Sequence, residues 1–227
     1  MMRRSAAFVP LLLFAAASLF AQTPAHISFT FEHPQLQPSR YTIAVDETGA
    51  GRYTSQPGSA PVSNDSYDDI RPTPVDRPIL IDDSLRADLF RYARSHNFFA
   101  ERCSTTQAGL AFTGNKTLSY AGPDGSGTCT FVWAGDPVLQ HLSDQLEAVA
   151  FTIEEGRRLG LEVLHDRLGL DAELANLQDA VKEHRAEDLA NIADALHAVA
   201  DNQQVMDRAR KRALALLAGS QIAQKHN

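Results

Sequence analysis

Residues 136–163 read DPVLQHLSDQLEAVAFTIEEGRRLGLEV and carry the clearest structural signal in the chain. Asp136 suits the N-cap of a helix, and Pro137 suits its first position. Apolar or small residues then recur at alternating spacings of four and three, as on one face of a helix; they are Leu142, Leu146, Val149, Ile153, Gly156, Gly160 and Val163. The pattern predicts one helix of about 30 residues, roughly 45 Å long.

Two glycines, Gly156 and Gly160, lie on this apolar seam. They predict that a partner helix approaches closely there, because glycine has no side chain to hold the partner away. Each glycine also weakens the helix by about 1 kcal/mol relative to alanine. A straight helix and a helix bent at these glycines are both compatible with the sequence.

Three shorter helices are expected after the long one, because apolar residues continue to recur at helical spacing. Asp171 is expected to cap the second helix, the fourth follows Asp201-Asn202, and Gly219 ends the fourth. The inward residues are Leu174, Leu177 and Val181, then Leu189, Ile192, Leu196 and Val199, then Val205, Met206, Ala209, Ala213, Leu216 and Leu217. Short connections favour antiparallel packing, so residues 135–219 are expected to form an all-α bundle or array, with 220–227 as a flexible tail.

A short basic cluster near the C-terminus comprises Arg208, Arg210, Lys211 and Arg212. The favoured interpretation places these cations on the wet face of the last helix, near its negative end. Contact with anionic lipid or an acidic partner is the alternative. The whole chain carries a formal net charge of −7. Because an acidic chain is in general a poor ligand for nucleic acid, no nucleic-acid partner is expected.

The part of the chain before a composition change at residues 134–136 is rich in Thr, Ser, Gly, Pro and aromatic residues. Alternating apolar and polar residues predict strands over His26–Phe31 and Arg40–Asp46. Turn residues follow the second strand, and Arg52–Ser55 is expected to return as its hairpin partner. Residues 56–78 contain five prolines and predict a long irregular loop before a short apolar strand.

A helix and a second hairpin are expected in the remainder of this part. Asp82 or Asp83 is the predicted cap of the helix, whose buried face carries Leu85, Leu89, Phe90 and Ala93. The hairpin pairs Lys116–Tyr120 with Thr128–Trp133 around glycines 122–127, which suit positive φ angles. Residues 22–134 are therefore predicted to form a β-rich domain with one helix.

Two cysteines, Cys103 and Cys129, are present in the chain. A bond between them would close a loop of about 25 residues, worth roughly 3–4 kcal/mol by the chain-entropy account. The alternative, a reactive thiol, lacks a C-x-x-C motif and a neighbouring His. The predicted class is therefore α+β: a small disulfide-tied β-rich N-terminal domain, followed by a helical domain led by one long helix.

The N-terminus predicts export. Met1–Ala21 contains Arg3 and Arg4, an apolar run over Ala6–Phe20, and then the small residue Ala21. This order is typical of a secretory signal peptide. The run is shorter than the roughly 20 residues of a membrane span. We expect residues 1–21 to be removed near Ala21, leaving a soluble periplasmic or extracellular protein without a transmembrane segment. An uncleaved N-terminal anchor is the alternative.

Two carboxylate–imidazole pairs suggest a metal site. Glu162 lies three residues before His165, and Asp194 three before His197, so each pair shares a helix face. Di-iron bundles bind metal through such pairs on inward faces. Here both pairs fall away from the apolar seams, so a solvated polar face is the favoured interpretation and the metal site the alternative.

The sequence contains no nucleophile or phosphate-loop motif, such as G-x-S-x-G or G-x-x-x-x-G-K-[ST], and no cofactor is expected. The leading hypothesis is a non-enzymatic envelope protein that binds a protein partner, or itself, through its helical half. The second is a ligand- or metal-binding envelope protein, with peptide or glycan as candidate ligands of exposed aromatic residues. The third is a hydrolase with its site on loops of the β-rich half, so enzymatic activity stays undecided, with non-enzymatic function favoured.

Overall fold

The computed structural model describes residues 24–58 and 73–225 and shows a mixed α+β fold. Its strands are β1 (His26–Glu32), β2 (Arg40–Asp46), β3 (Ala50–Gln56), β4 (Val75–Leu80), β5 (Asn115–Gly122) and β6 (Gly125–Phe131). Its α-helices are α1 (Asp83–Ser95), α2 (Pro137–His165), α3 (Leu170–Lys182), α4 (Ala193–Ala200) and α5 (Asp207–Lys225). Short 3₁₀ turns occupy Asn97–Phe99 and Leu189–Ile192. The predicted α+β class is confirmed, whereas the helical bundle stays a prediction.

One antiparallel sheet contains the six strands in the order β4-β3-β2-β1-β5-β6. The central strand β1 pairs with β2 and β5, so Phe29 lies between Ile43 and Leu118. Alternation along each strand sends these apolar side chains to one face, as the sequence predicts. Pro78 lies in β4, which is an edge strand and therefore tolerates a residue without an N–H donor.

The first half of α2 packs against the sheet. Leu139, Leu142, Leu146, Val149 and Ile153 are buried in the same apolar cluster as the strands and α1. From Leu159 onward, α2 contributes to a second cluster with α3, α4 and α5. The predicted division into two domains at residue 134 stays a prediction. What the structure shows is that this helix, which begins at the Asp136 cap, takes part in both clusters.

Only one of the two seam glycines makes the predicted close approach. A Cβ built on Gly156 would lie 2.3 Å from Cγ2 of Ile192. A Cβ on Gly160 would meet no atom within 4 Å. Close packing therefore requires glycine at 156 alone, and the approaching element is a 3₁₀ turn and not a long helix.

The start of α3 and the end of α5 differ from the sequence prediction. Gly169 is the N-cap of α3, and Asp171 lies inside the helix, nearly buried. The predicted Asp171 cap is wrong because its carboxylate pairs with Arg208 and Arg212, at 2.5 and 3.0 Å. Likewise, α5 continues through Gly219 to Lys225, so the predicted helix end at Gly219 is wrong.

The basic cluster lies at the opposite end of the last helix from the predicted one. It occupies the first turns of α5, where the helix dipole is positive. Nearby acceptors offset the repulsion between these cations and the positive end of the helix. Asp171 pairs with Arg208 and Arg212, and Asp207 pairs with Lys211. Arg210 donates to the carbonyl oxygen of Ala200 at 3.0 Å. The cluster therefore connects α5 to α3 and α4. The predicted position near the negative end is wrong, whereas the predicted wet face is seen at Arg208 and Lys211, whose side chains are 73% and 74% exposed.

Two local predictions in the β-rich part are corrected. The predicted loop of residues 56–78 ends earlier, because β4 begins at Val75; its middle lies outside the described residues. The glycines of the second hairpin do not take positive φ angles. Gly125 instead leaves room for Phe98, whose ring would lie 2.2 Å from an added Cβ.

The predicted disulfide is confirmed: Cys103 and Cys129 are bonded, with their Cα atoms 6.0 Å apart. The bond ties the segment after α1 to strand β6. Within residues 24–58 and 73–225, no helix combines the length and hydrophobicity that a membrane span requires. The predicted signal peptide, residues 1–21, lies outside the described residues.

Candidate functional site

A cavity of about 540 Å³ opens between the sheet, the β1–β2 loop and α2. We call it the tyrosine pocket; Pro38, Tyr41, Tyr53, Glu147 and Glu154 define it. Its volume is typical of sites that hold a small organic molecule. Its walls come from distant parts of the chain, so no contiguous motif marks it.

Aromatic side chains of three neighbouring strands form one side of the pocket. Phe31 is directly opposite Tyr41 in the β1–β2 register, and their rings stack with centroids 5.1 Å apart. Tyr41 also stacks with Tyr53 of β3, at 5.9 Å. Because alternate residues share a sheet face, the strand pattern brings the three rings to the pocket side together.

A hydrogen-bonded group holds Glu154 of α2 against the sheet. The Tyr53 and Ser55 hydroxyls donate to Oε1 of Glu154, at 2.8 and 2.7 Å, and Arg157 donates to its Oε2 at 2.8 Å. Burial and the adjacent Glu154 carboxylate raise the pKa of Tyr53 well above its usual range, so its hydroxyl stays a donor. Both oxygens of Glu154 are thereby occupied by protein donors.

A buried ion pair joins β5 to α2. The Lys116 side chain is 4% exposed, and its Nζ lies 2.6 Å from Oε1 of Glu147. The same ammonium lies 5.7 Å from the ring centroid of Trp133, a cation–π distance. Burial raises the pKa of Glu147 even though Lys116 opposes the shift. The pair thus gives Glu147, which lines the pocket, a counter-charge from a lysine that does not line it.

Tyr41 presents a polar group without a protein partner. It is 8% exposed and lines the pocket, yet its hydroxyl makes no hydrogen bond to any residue that the structure describes. Burial, with a smaller contribution from the Glu147 carboxylate, raises the pKa of Tyr41 well above its usual range. The hydroxyl oxygen is not one of the fully buried atoms that lack a partner, so it remains accessible to solvent. The Tyr41 hydroxyl is therefore a neutral donor and acceptor that a ligand in the pocket can reach.

The β1–β2 loop forms the outer wall. Its Gln37–Pro38 peptide bond is cis. The Gln37 amide is held by the backbone of Gly58, with its nitrogen donating at 3.1 Å and its oxygen accepting at 2.8 Å. Gln37 is thus held by two hydrogen bonds to Gly58, just after the end of β3.

The four residues of the proposed metal site are not brought together as ligands. Asp194 is paired with Arg77 of β4 at 3.5 Å, and His197 with Asp201 at 3.6 Å, both at the surface. His165 is exposed at the end of α2. Among the residues described, no group of three or more His, Cys, Asp or Glu side chains has an arrangement that could hold a metal ion. Metal binding through these residues stays a prediction.

Glu162 is less exposed to solvent than the sequence predicts. Its Oε2 is buried and has no hydrogen-bond partner among the described residues. Burial, reinforced by Glu173, raises its pKa to about 7. Glu155, two helical turns earlier, is buried and paired with Arg158, and burial raises its pKa to about 7 as well. The polar-face interpretation therefore holds only in part for Glu162, which is half-buried and has the Glu173 carboxylate of α3 close enough to affect its pKa.

A second cavity of about 550 Å³ lies between the start of α1, residues 186–190 and the end of α5. Its lining is mostly apolar. Its carboxylate Asp188 already accepts a hydrogen bond from the backbone N–H of Asp82, at 3.1 Å. The tyrosine pocket, with its unpartnered hydroxyl, is therefore the stronger candidate site.

Sequence analysis placed the tyrosines in strands but did not find this site. The alternating pattern of Arg40–Asp46 predicts an apolar strand face for Tyr41, and no motif marks Glu147 or Glu154 on the long helix. The available signal was a carboxylate directly after each of two seam residues, Leu146 and Ile153. No protein-family model matches the chain, and no curated protein matches its sequence.

Proposed function

We propose that this chain is an exported protein that binds a small molecule in the tyrosine pocket. The observation that carries the proposal is Tyr41, a nearly buried residue that lines the cavity and whose hydroxyl has no hydrogen-bond partner among the described residues. A ligand that hydrogen-bonds this group would satisfy it.

Export is supported by two features. The N-terminal order of Arg3 and Arg4, an apolar run and Ala21 is that of a signal peptide. The Cys103–Cys129 disulfide is typical of proteins that fold in an oxidising compartment. Residues 1–21 would be removed near Ala21, which places the mature protein in the periplasm or outside the cell.

The pocket supports binding better than catalysis. Glu154 receives donors on both oxygens, and Glu147 is neutralised by Lys116. A general acid or base needs a proton that it can exchange with substrate. These carboxylates are instead held by protein partners, as expected for groups that shape a site.

Native mass spectrometry of the mature protein, purified without dialysis from its exporting host, tests the proposal. We expect a bound small-molecule mass in a 1:1 ratio, reduced at least tenfold in Tyr41→Phe. Tyr120→Phe is the matched control, because it also removes one tyrosine hydroxyl from the sheet but lies outside the pocket. A bare mass for the wild type, or equal retention in all three proteins, would contradict the proposal.

A second candidate function is association through the helical half. Leu164 at the end of α2 and Leu168 just after it are 70% and 79% exposed, which is unusual for leucine. Burial of these side chains against another copy or a protein partner would remove them from water. Sedimentation should then show a concentration-dependent oligomer that Leu164→Gln with Leu168→Gln dissociates. A strict monomer that retains no partner during purification would contradict this candidate.

A further inference from the structure

Three of the four carboxylates that line the tyrosine pocket are paired with cations. Besides Lys116–Glu147, Arg157 pairs with Glu154 at 2.8 Å, and the buried Glu155 pairs with Arg158 of the same helix at 2.5 Å. The fourth, Asp144, is exposed and accepts a hydrogen bond from the Gln140 amide. In the buried part of the pocket, the charge of an ionised ligand would be desolvated without a free counter-charge, which is costly.

Hydrogen-bonding capacity nevertheless remains at the base of the pocket. The Tyr41 hydroxyl can donate and accept. The two contacts found for Glu147 in the described part of the chain, from Lys116 and Ser143, both use Oε1, which leaves Oε2 to accept. The pocket therefore offers a donor and an acceptor near each other, and both suit a ligand that carries neighbouring hydroxyl groups.

An apolar surface lies beside these polar groups. The side chain of Pro38 and the ring edges of Phe31 and Tyr41 border the same cavity, while stacking on Phe31 and Tyr53 covers the ring faces of Tyr41. A sugar ring combines these requirements, because its C–H groups form an apolar face while its hydroxyls both donate and accept. The cavity volume of about 540 Å³ lies within the range for ligands of this size.

We infer that the tyrosine pocket binds a neutral sugar of one or two rings, which hydrogen-bonds the Tyr41 hydroxyl and Glu147 and packs its apolar face against Pro38 and the ring edges of Phe31 and Tyr41. This inference rests on the proposed binding function and names its ligand class.

Titration calorimetry of the mature protein tests the ligand class. The probes are D-glucose, D-galactose, N-acetylglucosamine and maltose, with L-lysine and succinate as charged probes, and an array of neutral oligosaccharides extends the sugar set. We expect a neutral sugar to bind with 1:1 stoichiometry and the charged probes to give no heat. Tyr41→Phe and Glu147→Gln should each weaken the sugar about tenfold, whereas Tyr120→Phe leaves its affinity unchanged.

The outcomes separate the ligand class from the binding function. Binding of lysine or succinate that Tyr41→Phe weakens would overturn the sugar and leave the pocket as a binding site. Sugar binding that Tyr41→Phe does not change would overturn the pocket as its location. No binding to any probe or array position, by protein that unfolds cooperatively on heating, would overturn the sugar, and the retained-ligand mass then decides the binding function independently.

Discussion

At the scale of single residues, the Lys116–Glu147 pair is the most consequential contact between the sheet and α2. Lys116 is almost fully buried on β5, where its neighbours in the strand pattern are apolar. A lysine at such a position is tolerated because Glu147 supplies a counter-charge and Trp133 an aromatic face. The pair is close to the proposed ligand, so its removal should affect both folding and binding.

Lys116→Met should lower the free energy of unfolding by about 3 kcal/mol, since it leaves a partly buried carboxylate without its partner. We place the effect at the low end of the usual range because Glu147 is 31% exposed. Urea unfolding measures it. The double variant Lys116→Met with Glu147→Gln should recover part of the loss, and additive losses would show that the pair is not coupled.

Asp188 should make stability depend on pH. Burial raises its pKa to about 7, with Asp82 and Glu187 adding repulsion and the Asp82 N–H opposing the shift. The folded state therefore holds a proton that the unfolded chain releases near pH 4. This contribution is fully present below about pH 4 and is lost as the pH rises through 7.

Asp188→Asn should raise the melting temperature at pH 8 more than at pH 5. Asparagine keeps an oxygen for the Asp82 N–H, carries no charge, and tolerates the left-handed backbone at this position. Melting curves of both proteins from pH 5 to pH 8 provide the measurement. Glu155 and Glu162 shift in the same direction, so some pH dependence should remain in the variant. An identical difference in melting temperature between the two proteins at pH 5 and at pH 8 would argue against a titrating Asp188.

At the scale of elements, the stability of α2 depends on what packs against each of its two glycines. Both lie within the same 29-residue helix, and both lower its intrinsic stability by the same amount relative to alanine. Gly156 is packed against buried Ile192, a β-branched residue with little freedom to move aside. Gly160 has open space around it.

Alanine at these two sites should therefore have opposite effects. Gly160→Ala should stabilise the protein by up to about 1 kcal/mol, because it gains helix propensity without a clash. Gly156→Ala should destabilise it by about 1–3 kcal/mol, since the new methyl group overpacks the contact with Ile192. Chemical unfolding of the two variants gives a direct comparison. Stabilisation by both would show that the Ile192 contact yields easily.

At the scale of the whole molecule, the disulfide joins segments 26 residues apart. By the chain-entropy account, replacing both cysteines with alanine should cost about 3.5 kcal/mol, because the unfolded chain regains the freedom of that loop. Unfolding by urea, with and without a reductant, measures the loss. The double-alanine variant should be insensitive to the reductant, and equal stability of oxidised and reduced wild type would contradict the prediction.

The proposed export also concerns the whole molecule, because removal of a signal peptide would decide which chain folds. Expressed with its full N-terminus in a secreting host, the protein should be recovered with Gln22 as its first residue. Loss of Arg3 and Arg4 changes the formal net charge from −7 to −9. Intact mass spectrometry identifies the N-terminus. Recovery of a mass that includes residues 1–21 would favour the uncleaved anchor.

Much of the local structure was predictable because it depends on neighbours in the sequence. The Asp136-Pro137 start of α2, the Asp82 cap of α1 and the alternation in β1 and β2 each follow from interactions within a few residues. The cysteine pair was predictable as well, since only one pairing exists. The local rules failed at Asp171 and Gly219, where contacts or continuation of the helix outweighed the usual preferences.

The amino-acid sequence by itself thus determined the α+β class, most strand and helix positions and the disulfide, because hydrophobic periodicity and capping are local properties. Only the tertiary structure decided which charged residues are buried. Lys116 and Asp171 carry no local mark of burial, and each depends on groups supplied from other elements. The tyrosine pocket belongs to this second class, because its polar groups become a site only where three strands, one loop and α2 meet.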